Sequence, residues 1–424
     1  MTTTIGSASG VPAGAAGVLD PAEVRGDFPI LRREMNGRPL VYLDSANTSQ
    51  KPERVLQAMY EYYACHTANV HRAVYALSEE STRMFEDSRD TIARYAGADR
   101  RGTVFAKNAT EAINLVAYAW GLRNLREGDE ILITEMEHHA NLVSWQVVAG
   151  LTGAKVRAIP VGDDFRLDLD ALDHGLLNER TRMVAVSAMS NVLGTINPVK
   201  AVADRAHAAG ALVLADASQA VPHLGVRFDD LGADFMAFTG HKMLGPFGIG
   251  VLAARPELLD SMKPFLAGGE MIRDVTLESS TFNDIPWRFE AGTPNVAEAV
   301  GLAAAIGYIE AVGMDRIRAH EGMLTAHLLQ RLSEIDGLRV LGPTELEQRG
   351  GVVSFTLGEV HPHDVAQVLD AEGIAVRAGD HCAKPLHRRF GLGASTRASV
   401  YLYNTTDELD ALATALDKAK RMFA

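Results

Sequence analysis

Short apolar runs alternate with helical patterns through the middle of the chain, and this alternation constrains the fold more than any other feature. Seven such runs occupy residues 103–106, 130–134, 155–159, 183–187, 212–216, 235–239 and 250–253. Runs of this length that end in polar turns predict buried strands, and ten to fifteen residues of helical pattern separate most of them. We therefore predict an α/β protein with a mainly parallel seven-stranded sheet that is covered by helices on both faces.

Two of the predicted strands lead directly to residues with distinctive chemistry. Lys242 follows the run 235–239 in a turn, and the three glycines and one proline of residues 245–250 prevent a helix there. A lysine in such a turn is easily desolvated, which favours the neutral amine that forms an imine. Asp216 ends the run 212–216, where its carboxylate can hold a protonated pyridine nitrogen. Together the two residues predict pyridoxal 5′-phosphate as a cofactor, whereas Lys242 alone would also fit an ordinary exposed loop.

Other polar residues also cluster where predicted strands end. His138, Asn191 and Gln219 each lie shortly after an apolar run. Because the carboxyl ends of parallel strands meet at one edge of a sheet, we expect a ligand crevice at this edge. Thr110 follows another run and can cap the next helix, whose free amides would then form a phosphate site; capping alone would also explain this threonine.

The pair His138 and His139 beside Glu137 resembles a set of metal ligands. Neighbouring residues at the start of a helix point in different directions, however, which makes joint ligation by the two rings awkward. We therefore expect no metal at this position.

The composition, with 47% hydrophobic and 22% charged residues, is typical of a globular protein. The formal net charge of -13 argues against nucleic acids and anionic membrane surfaces as partners. The two cysteines, Cys65 and Cys382, are too few for a disulfide framework and lack the spacing of a zinc site. So few cysteines fit a reducing compartment, and the cytoplasm is the expected location. No stretch approaches the length of a charge-free membrane-spanning helix.

A chain of 424 residues can bury more than one core, so we predict two domains. Residues 1–17, rich in Thr, Ser, Gly and Ala, are expected to be a disordered tail, and residues 18–40 an N-terminal segment that packs on the small domain. The large domain, which would bind the cofactor, spans residues 41–312. Residues 313–424 have a helix-backed antiparallel α+β pattern and would form a smaller domain that carries Cys382.

Cys382 lies in a polar loop between Arg377 and Lys384. Nearby cations favour a thiolate, but Asp380 opposes them, so the residues alone leave a reactive thiol and a bystander cysteine equally open. Arg397 precedes a predicted strand at residues 400–403. It can bind a substrate carboxylate through two parallel hydrogen bonds, or it can form a structural ion pair with an acid.

Six motifs, taken together, resemble the group II (SufS-like) cysteine desulfurases, which are class-V, fold-type I enzymes dependent on pyridoxal phosphate. The motifs are EMEHHAN at 135–141, SNVLGT at 190–195, DASQAV at 216–221, TGHKMLGPFGIG at 239–250, RFEAGTPN at 288–295 and VRAGDHCAKPL at 376–386. The resemblance runs from about residue 24 to the C-terminus and implies the fold of those transferases.

The resemblance also implies a role for each candidate site residue. Lys242 would bind the cofactor covalently and move the Cα proton of the substrate, Cys382 would be the sulfur-accepting nucleophile, and His138 would stack on the cofactor ring. Asp216 would hold the pyridine nitrogen of the cofactor, and Gln219 would contact its phenolic oxygen. The residues implied to bind the phosphate are Thr110, Thr239, His241 and a Thr293 contributed by the second subunit. Asn191 and Arg397 would bind the substrate carboxylate, and Arg377 would lie near the active-site loop.

The implied reaction converts L-cysteine to L-alanine and leaves a persulfide on Cys382. The implied partners are a second copy of the chain, in a homodimer, and a sulfur-acceptor or scaffold protein of a Suf-type system for iron–sulfur cluster assembly. His363, on a polar turn, is a candidate docking residue for that protein, although a solvated turn explains it equally well. The family usually has a histidine where this chain has Asp380, and an acid at this position can weaken thiolate formation.

Three other functions are compatible with the same residues. A selenocysteine lyase would share the fold and could dispense with the Cys382 thiol. A Cys–His hydrolase would use Cys382 without a coloured cofactor. A catalytically inactive scaffold would bind an assembly partner and would not need Lys242.

Overall fold

The computed structural model describes residues 19–423, so the tail predicted at residues 1–17 lies outside the described part of the chain. Within the described part, no single helix is long and apolar enough to cross a membrane. One pair of helices, Val296–Val312 and Met314–Ser333, passes that test jointly by length and composition alone, and the two helices are bent by 76°.

Seventeen strands are present in the described residues. They are β1 (Glu34–Met35), β2 (Arg38–Pro39), β3 (Val41–Tyr42), β4 (Thr103–Ala106), β5 (Glu130–Thr134), β6 (Lys155–Ile159), β7 (Thr181–Ser187), β8 (Leu212–Asp216), β9 (Phe235–Thr239), β10 (Gly250–Ala254), β11 (Ile272–Val275), β12 (Ser280–Phe282), β13 (Leu338–Leu341), β14 (Val352–Leu357), β15 (Ile374–Ala375), β16 (Arg377–Gly379) and β17 (Ser395–Ser399).

The same residues form fifteen α-helices. They are α1 (Pro21–Arg25), α2 (Glu53–Glu61), α3 (Ala76–Ala96), α4 (Ala109–Val116), α5 (Leu122–Asn124), α6 (Ala140–Thr152), α7 (Val199–Ala208), α8 (Ala220–Leu224), α9 (Phe228–Leu231), α10 (Pro256–Ser261), α11 (Val296–Val312), α12 (Met314–Ser333), α13 (Pro362–Ala371), α14 (Lys384–Arg389) and α15 (Thr406–Phe423). Short 3₁₀ turns occupy Pro29–Arg32, Arg100–Gly102, Gly240–Lys242, Trp287–Phe289 and Leu346–Gln348, and single π-helical turns occupy Tyr62–His66, Ala117–Gly121 and Leu172–Leu176.

The large sheet has seven strands in the order β4-β10-β9-β8-β7-β5-β6. Strands β9, β8, β7, β5 and β6 run parallel to one another. Strand β10 runs antiparallel to both of its neighbours, β9 and β4. The predicted α/β fold with a mainly parallel seven-stranded sheet is confirmed.

Both faces of the large sheet are buried, as strand β7 illustrates. Val184 and Val186 point into the apolar core on one face, while Met183 and Ala185 belong to a second core on the other face. Covering a parallel sheet with helices on both sides requires such continuously apolar strands. Each fully buried aliphatic side chain of valine size contributes roughly 1.5–3 kcal/mol, so the two cores hold the polar strand ends in fixed positions.

A second, smaller sheet of four antiparallel strands, in the order β13-β14-β17-β16, lies in the C-terminal part of the chain. Helices α12, α13 and α15 pack on it and form a third core. In α15, Leu409, Leu412 and Leu416 recur at helical spacing and are all buried in this core. Residues on β16 and β17 are thereby placed against the end of the large sheet.

The N-terminal segment contacts this C-terminal part. Arg25 pairs with Glu408 at 2.6 Å, and the Asn36 side-chain amide donates to the Asp370 carbonyl. Strand β3 pairs in parallel with β15, although the predicted boundary at residue 41 assigns β3 to the large domain. The turn that follows β3 therefore lies between the C-terminal part of the chain and the end of the large sheet.

Candidate active site

A cavity of about 290 Å³ lies at the carboxyl ends of the parallel strands, where the C-terminal sheet approaches them. Eleven of the twelve predicted site residues line it: Thr110, His138, Asn191, Asp216, Gln219, Thr239, His241, Lys242, Arg377, Cys382 and Arg397. The expectation of a shared crevice at this edge therefore agrees with where the structure puts these side chains.

Thr293 is the predicted residue that does not line this cavity. It lies in the turn before α11 and lines a neighbouring cavity of about 140 Å³ together with Lys107 and Glu111. Within one chain, Thr293 is thus separated from the other eleven residues.

Lys242 ends a partly buried 3₁₀ turn that directly follows β9. Burial is the main cause that lowers its pKa to about 8, and Arg397 and Arg377 lower the pKa further while Asp216 raises it. At pH 7 about a tenth of this amine is neutral, against less than roughly a thousandth for a free lysine side chain. The strand that follows, β10, packs so closely that a Cβ on Gly250 would lie 2.4 Å from the backbone of Asn108, which explains the glycine there.

Asp216 ends β8 and is only 6% exposed. Its Oδ1 accepts a hydrogen bond from the Ser218 amide at 3.0 Å. His138 follows β5, and its Nδ1 accepts a hydrogen bond from the Ala140 amide, so a neutral ring carries its proton on Nε2. Burial, together with the charge of Lys242, lowers the pKa of His138 to about 4, which keeps the ring neutral at physiological pH.

Glu137 lies beneath this part of the cavity and is fully enclosed. Its carboxyl group accepts hydrogen bonds from the Thr134 hydroxyl, the Asn141 side chain and the Ser187 amide, at 2.6–2.7 Å. Burial raises the pKa of Glu137 to about 8, so the group is largely uncharged at pH 7. Glu137 therefore ties β5 to β7 and α6 and holds the segment that carries His138.

Cys382 lies in a strained loop, because both His381 (φ 50°) and Cys382 (φ 58°) adopt left-handed backbone conformations. Such conformations cost about 1–3 kcal/mol each and persist only when neighbouring groups fix them. Three hydrogen bonds fix them. The Cys382 amide donates to the Asp380 carboxylate (2.9 Å), the His139 amide donates to the Cys382 carbonyl (2.7 Å), and the Asn191 side-chain amide donates to the His381 carbonyl (2.7 Å).

Two cations near Cys382 behave differently. An Arg377 Nη lies 3.6 Å from the Cys382 Sγ and can stabilise a thiolate. Lys384 is exposed, and its Nζ is 3.9 Å from Asp380 instead. His381 is also turned away from the thiol, since its Nε2 lies 3.0 Å from the Ser395 hydroxyl.

The two arginines of the site depend on residues that sequence reasoning missed. Arg397 is buried and contacts the Asp44 carboxylate at 3.1 Å and the Asn191 carbonyl at 2.9 Å. Arg377 donates to the side chain of Asn47 at 2.9 Å. Asp44 and Asn47 belong to the polar turn after β3, and a polar turn after a strand is the signal that could have indicated them.

The prediction that Thr110 caps α4 is wrong. Asn108 is the capping residue, since its side chain accepts from the Glu111 amide, and Thr110 lies inside the first turn of the helix. The Thr110 hydroxyl is therefore not committed to capping. Thr110 lines the same cavity as Thr239 and His241, and the His241 ring stacks on Phe247 at 5.3 Å.

Several buried polar atoms that line the cavity have no hydrogen-bond partner among residues 19–423. They are Oδ1 of Asn191, Oε1 of Gln219, Oγ1 of Thr239, Nδ1 of His241 and, behind Asn191, Nε of Arg397. Leaving such atoms unsatisfied costs roughly 1–3 kcal/mol each, and the cost is removed when a polar ligand binds them. The cavity is thus suited to a ligand with several anionic or polar groups.

A groove of about 530 Å³ lies on the other side of the cysteine loop. It is lined by His361 and His363 at the start of α13 and by Asp380, two residues before Cys382. The exposed turn predicted as a docking feature thus lies next to the loop that carries the thiol.

Comparison with known proteins adds a family and named relatives. A family model described as aminotransferase class-V matches residues 41–412. A probable cysteine desulfurase of Streptomyces coelicolor is 53% identical, with 96% of this chain and 99% of that protein covered, and a cysteine desulfurase of Haloferax volcanii is 49% identical, with 96% and 98% covered. The apo structure of a cysteine desulfurase from Thermococcus onnurineus NA1 superposes with a TM-score of 0.91 at 39% identity, covering 96% of this chain and 100% of that one.

Proposed function

The chain belongs to the aminotransferase class-V family and is a cysteine desulfurase that uses pyridoxal 5′-phosphate, and from this premise we propose that Cys382 takes the sulfur of L-cysteine as a persulfide. The observation that carries the proposal is that the Cys382 thiol and the Lys242 amine line one cavity together with Asp216 and two guanidinium groups. The persulfide sulfur would then serve iron–sulfur cluster assembly.

The residues of the cavity fit pyridoxal phosphate. Asp216 presents a buried carboxylate for the pyridine nitrogen, and Lys242 presents a partly neutral amine for the aldehyde. Gln219 presents its side-chain amide, whose Oε1 has no partner among the described residues, to the phenolic group. Thr239 and His241 offer unpartnered atoms, and Thr110 an uncommitted hydroxyl, for the phosphate. When bound, the cofactor supplies the electron sink that makes the Cα proton of an amino acid removable.

Arg397 would bind the carboxylate of L-cysteine. Its guanidinium group already contacts Asp44 and the Asn191 carbonyl, and its Nε is buried without a partner among the described residues. A fixed, planar, always-charged group of this kind orients a carboxylate through two parallel hydrogen bonds. Asn191, which also holds the His381 carbonyl, would link substrate binding to the position of the cysteine loop.

Lys242 would act in proton transfer, and Cys382 would act as the nucleophile. The neutral Lys242 amine takes the Cα proton. The Cys382 thiolate, held next to Arg377, attacks the substrate sulfur, so that an S–S bond forms and the C–S bond breaks. The electrons of the broken bond stay with the carbon, which takes up a proton and becomes the methyl group of L-alanine.

A homodimer would complete the phosphate site. Thr110 is exposed at the rim of the cavity, and Thr293 lies in a separate cavity of the same chain. Thr293 of a second subunit could therefore reach the phosphate, as the family resemblance implies. A molar mass in solution of twice that of the chain is expected, and a monomer that retains full activity would contradict this part of the proposal.

The sulfur acceptor would dock in the groove that contains His363 and Asp380. An acceptor must approach the Cys382 persulfide closely, and this groove reaches the loop two residues before the thiol. The variant His363→Ala is expected to lose stimulation by the acceptor protein of a Suf-type system and to keep its basal rate of alanine formation. Unchanged stimulation would remove His363 from the docking surface.

The proposed function is tested by locating the sulfur. The purified holoenzyme is incubated with L-cysteine, alanine is quantified, and the digested protein is analysed by mass spectrometry. A mass gain of one sulfur atom is expected on the peptide with Cys382 and not on the peptide with exposed Cys65. Cys65→Ala is the matched control and should behave like the parent.

Two results would contradict the proposal. One is alanine formation that leaves Cys382 unmodified at every time point. The other is much faster turnover of L-selenocysteine than of L-cysteine, with no role for the thiol, which would favour a selenocysteine lyase.

A further inference from the structure

The backbone carbonyl of His241, directly before Lys242, is surrounded by an unusual number of donors. All of them come from residues 48–51, the end of the turn that follows β3. The donors are the Thr48 hydroxyl (3.0 Å), the Ser49 amide (3.0 Å), the Ser49 hydroxyl (3.1 Å) and the Lys51 Nζ (2.9 Å). A carbonyl oxygen has two lone pairs, so four donors within 3.1 Å fix its position much more firmly than an ordinary backbone hydrogen bond does.

The same short segment also holds the chain on the other side of Lys242. The Leu244 amide donates to the Ser49 hydroxyl at 2.8 Å, and that hydroxyl in turn donates to His241. Leu244 has a φ of 64°, a left-handed conformation that costs a non-glycine residue energy and persists only where its surroundings impose it. Residues 48–51 thus form hydrogen bonds with the backbone one residue before and two residues after Lys242.

Fixing the His241 oxygen also fixes the start of the Lys242 side chain. The peptide unit is planar, so the His241 carbonyl and the nitrogen and Cα of Lys242 lie in one plane. If the oxygen cannot move, this plane cannot tilt, and the direction in which Lys242 leaves the backbone is set.

Lys51 differs from the other three donors because its amine can carry a positive charge. Its Nζ donates to two backbone carbonyls, those of His241 and Ser49, and lies 5.4 Å from the centre of the Phe247 ring. Among residues 19–423 it has no carboxylate within 4.0 Å, and burial lowers its pKa to about 7. In its charged form the Lys51 amine gives the carbonyl next to Lys242 a charge-assisted hydrogen bond, which is stronger than a bond between neutral groups.

We infer that Lys51 is a positioning residue for Lys242 and that it acts by fixing the His241 carbonyl. Thr48 and Ser49 donate to the same carbonyl and support this role. This inference rests on the proposed role of Lys242 as the residue that binds the cofactor and moves the Cα proton. It adds that the placement of Lys242 depends on the turn after β3, far away in the sequence.

The experiment compares the parent with Lys51→Met, which keeps an unbranched side chain that is one atom shorter and removes its charge and donors. The first readout is the rate at which cofactor-free protein takes up added pyridoxal phosphate at Lys242, followed by visible absorbance and by trapping with hydride. The second is the rate at which the holoenzyme exchanges the Cα proton of L-alanine in heavy water. Both rates are expected to fall by roughly ten- to a hundredfold, the effect of a small misplacement of a reacting group. The KM for L-cysteine should stay the same, because Arg397 does not touch this segment.

Two variants serve as controls. Lys51→Arg retains the charge and should recover part of both rates. Lys200→Met changes an exposed lysine of α7 that pairs with Asp204, and it should equal the parent. Where Lys51→Met yields no folded protein, Thr48→Val is measured instead, with the same expectation, because it removes another donor to the same oxygen.

Parental rates in Lys51→Met, or equal losses in the arginine and methionine variants, would overturn the inference. A failure of the proposed function would look different. In that case the parent itself would take up pyridoxal phosphate at Lys242 without forming a persulfide, while the comparison between the parent and Lys51→Met would still be decided by the uptake rates.

Discussion

The Lys242→Ala variant is expected to lose the visible absorbance of a covalently held cofactor. Its rate of alanine formation should fall by about 10²- to 10⁴-fold, which is the usual contribution of a positioned acid–base group to a reaction rate. Lys242 is buried in the cavity, and its pKa is lowered to about 8, so a useful fraction of its amine is neutral near pH 7. His138, which also lines the cavity, has a single uncommitted ring nitrogen and cannot form the covalent link. The measurement is the absorbance spectrum together with the rate of alanine formation.

The same lowered pKa makes a prediction about pH. Because the neutral amine attacks the aldehyde, uptake of pyridoxal phosphate by the cofactor-free parent should speed up as pH rises and level off above about pH 8. Below that value the rate should change by about tenfold per pH unit. A profile that keeps rising to the pKa of an ordinary lysine would contradict the desolvated environment.

Lys242→Arg sharpens the test, since arginine keeps a positive charge and cannot become neutral in a protein. It should be as inactive as the alanine variant if the neutral amine matters, and active if only the charge matters. Lys200→Ala, which changes an exposed lysine, controls for general effects of losing a lysine. Near-parental alanine formation by Lys242→Ala would remove this residue from the mechanism.

The fold and the residues of the site that follow its strands could be predicted because they depend on local patterns. Strands such as β7 and β9 are apolar along their whole length, since both faces of the sheet are buried, and such runs are visible in the sequence. Polar residues that follow these strands then meet at one edge by geometry alone. This is why Lys242, Asp216 and Asn191 could be placed in one crevice.

The features that were missed depend on contacts between distant segments. Asp44 and Asn47 reach the two arginines because β3 pairs with β15, more than 300 residues away in sequence, and two-residue strands leave too little pattern to predict that pairing. Asn108 and Thr110 are both residue types that can cap a helix. A single hydrogen bond, from the Glu111 amide to the Asn108 side chain, shows that Asn108 is the cap. The left-handed backbone at Cys382 likewise comes from contacts with other elements, since neither it nor its neighbour is a glycine.

The variant Cys382→Ala should separate the two halves of the chemistry. The Cys382 thiol lies 3.6 Å from Arg377, whereas the loop is held by the backbone amide and carbonyl of Cys382 and by Asp380, His139 and Asn191. The loop and the cofactor site should therefore survive the change, and the absorbance and the exchange of the Cα proton should match those of the parent. Sulfur transfer should fail, because nothing remains for the substrate sulfur to bond to.

The rate of alanine formation from L-cysteine is expected to fall by at least about 10²-fold. Loss of a nucleophile removes a whole chemical step, whereas loss of an acid or base only slows one. Cys65→Ala is the matched control for loss of a thiol elsewhere in the chain and should retain the parental rate. Full turnover of L-cysteine by Cys382→Ala would contradict the persulfide mechanism. Loss of the absorbance along with activity would mean that the thiol has a structural role, because the backbone contacts alone would then be unable to hold the left-handed turn at His381 and Cys382 in place.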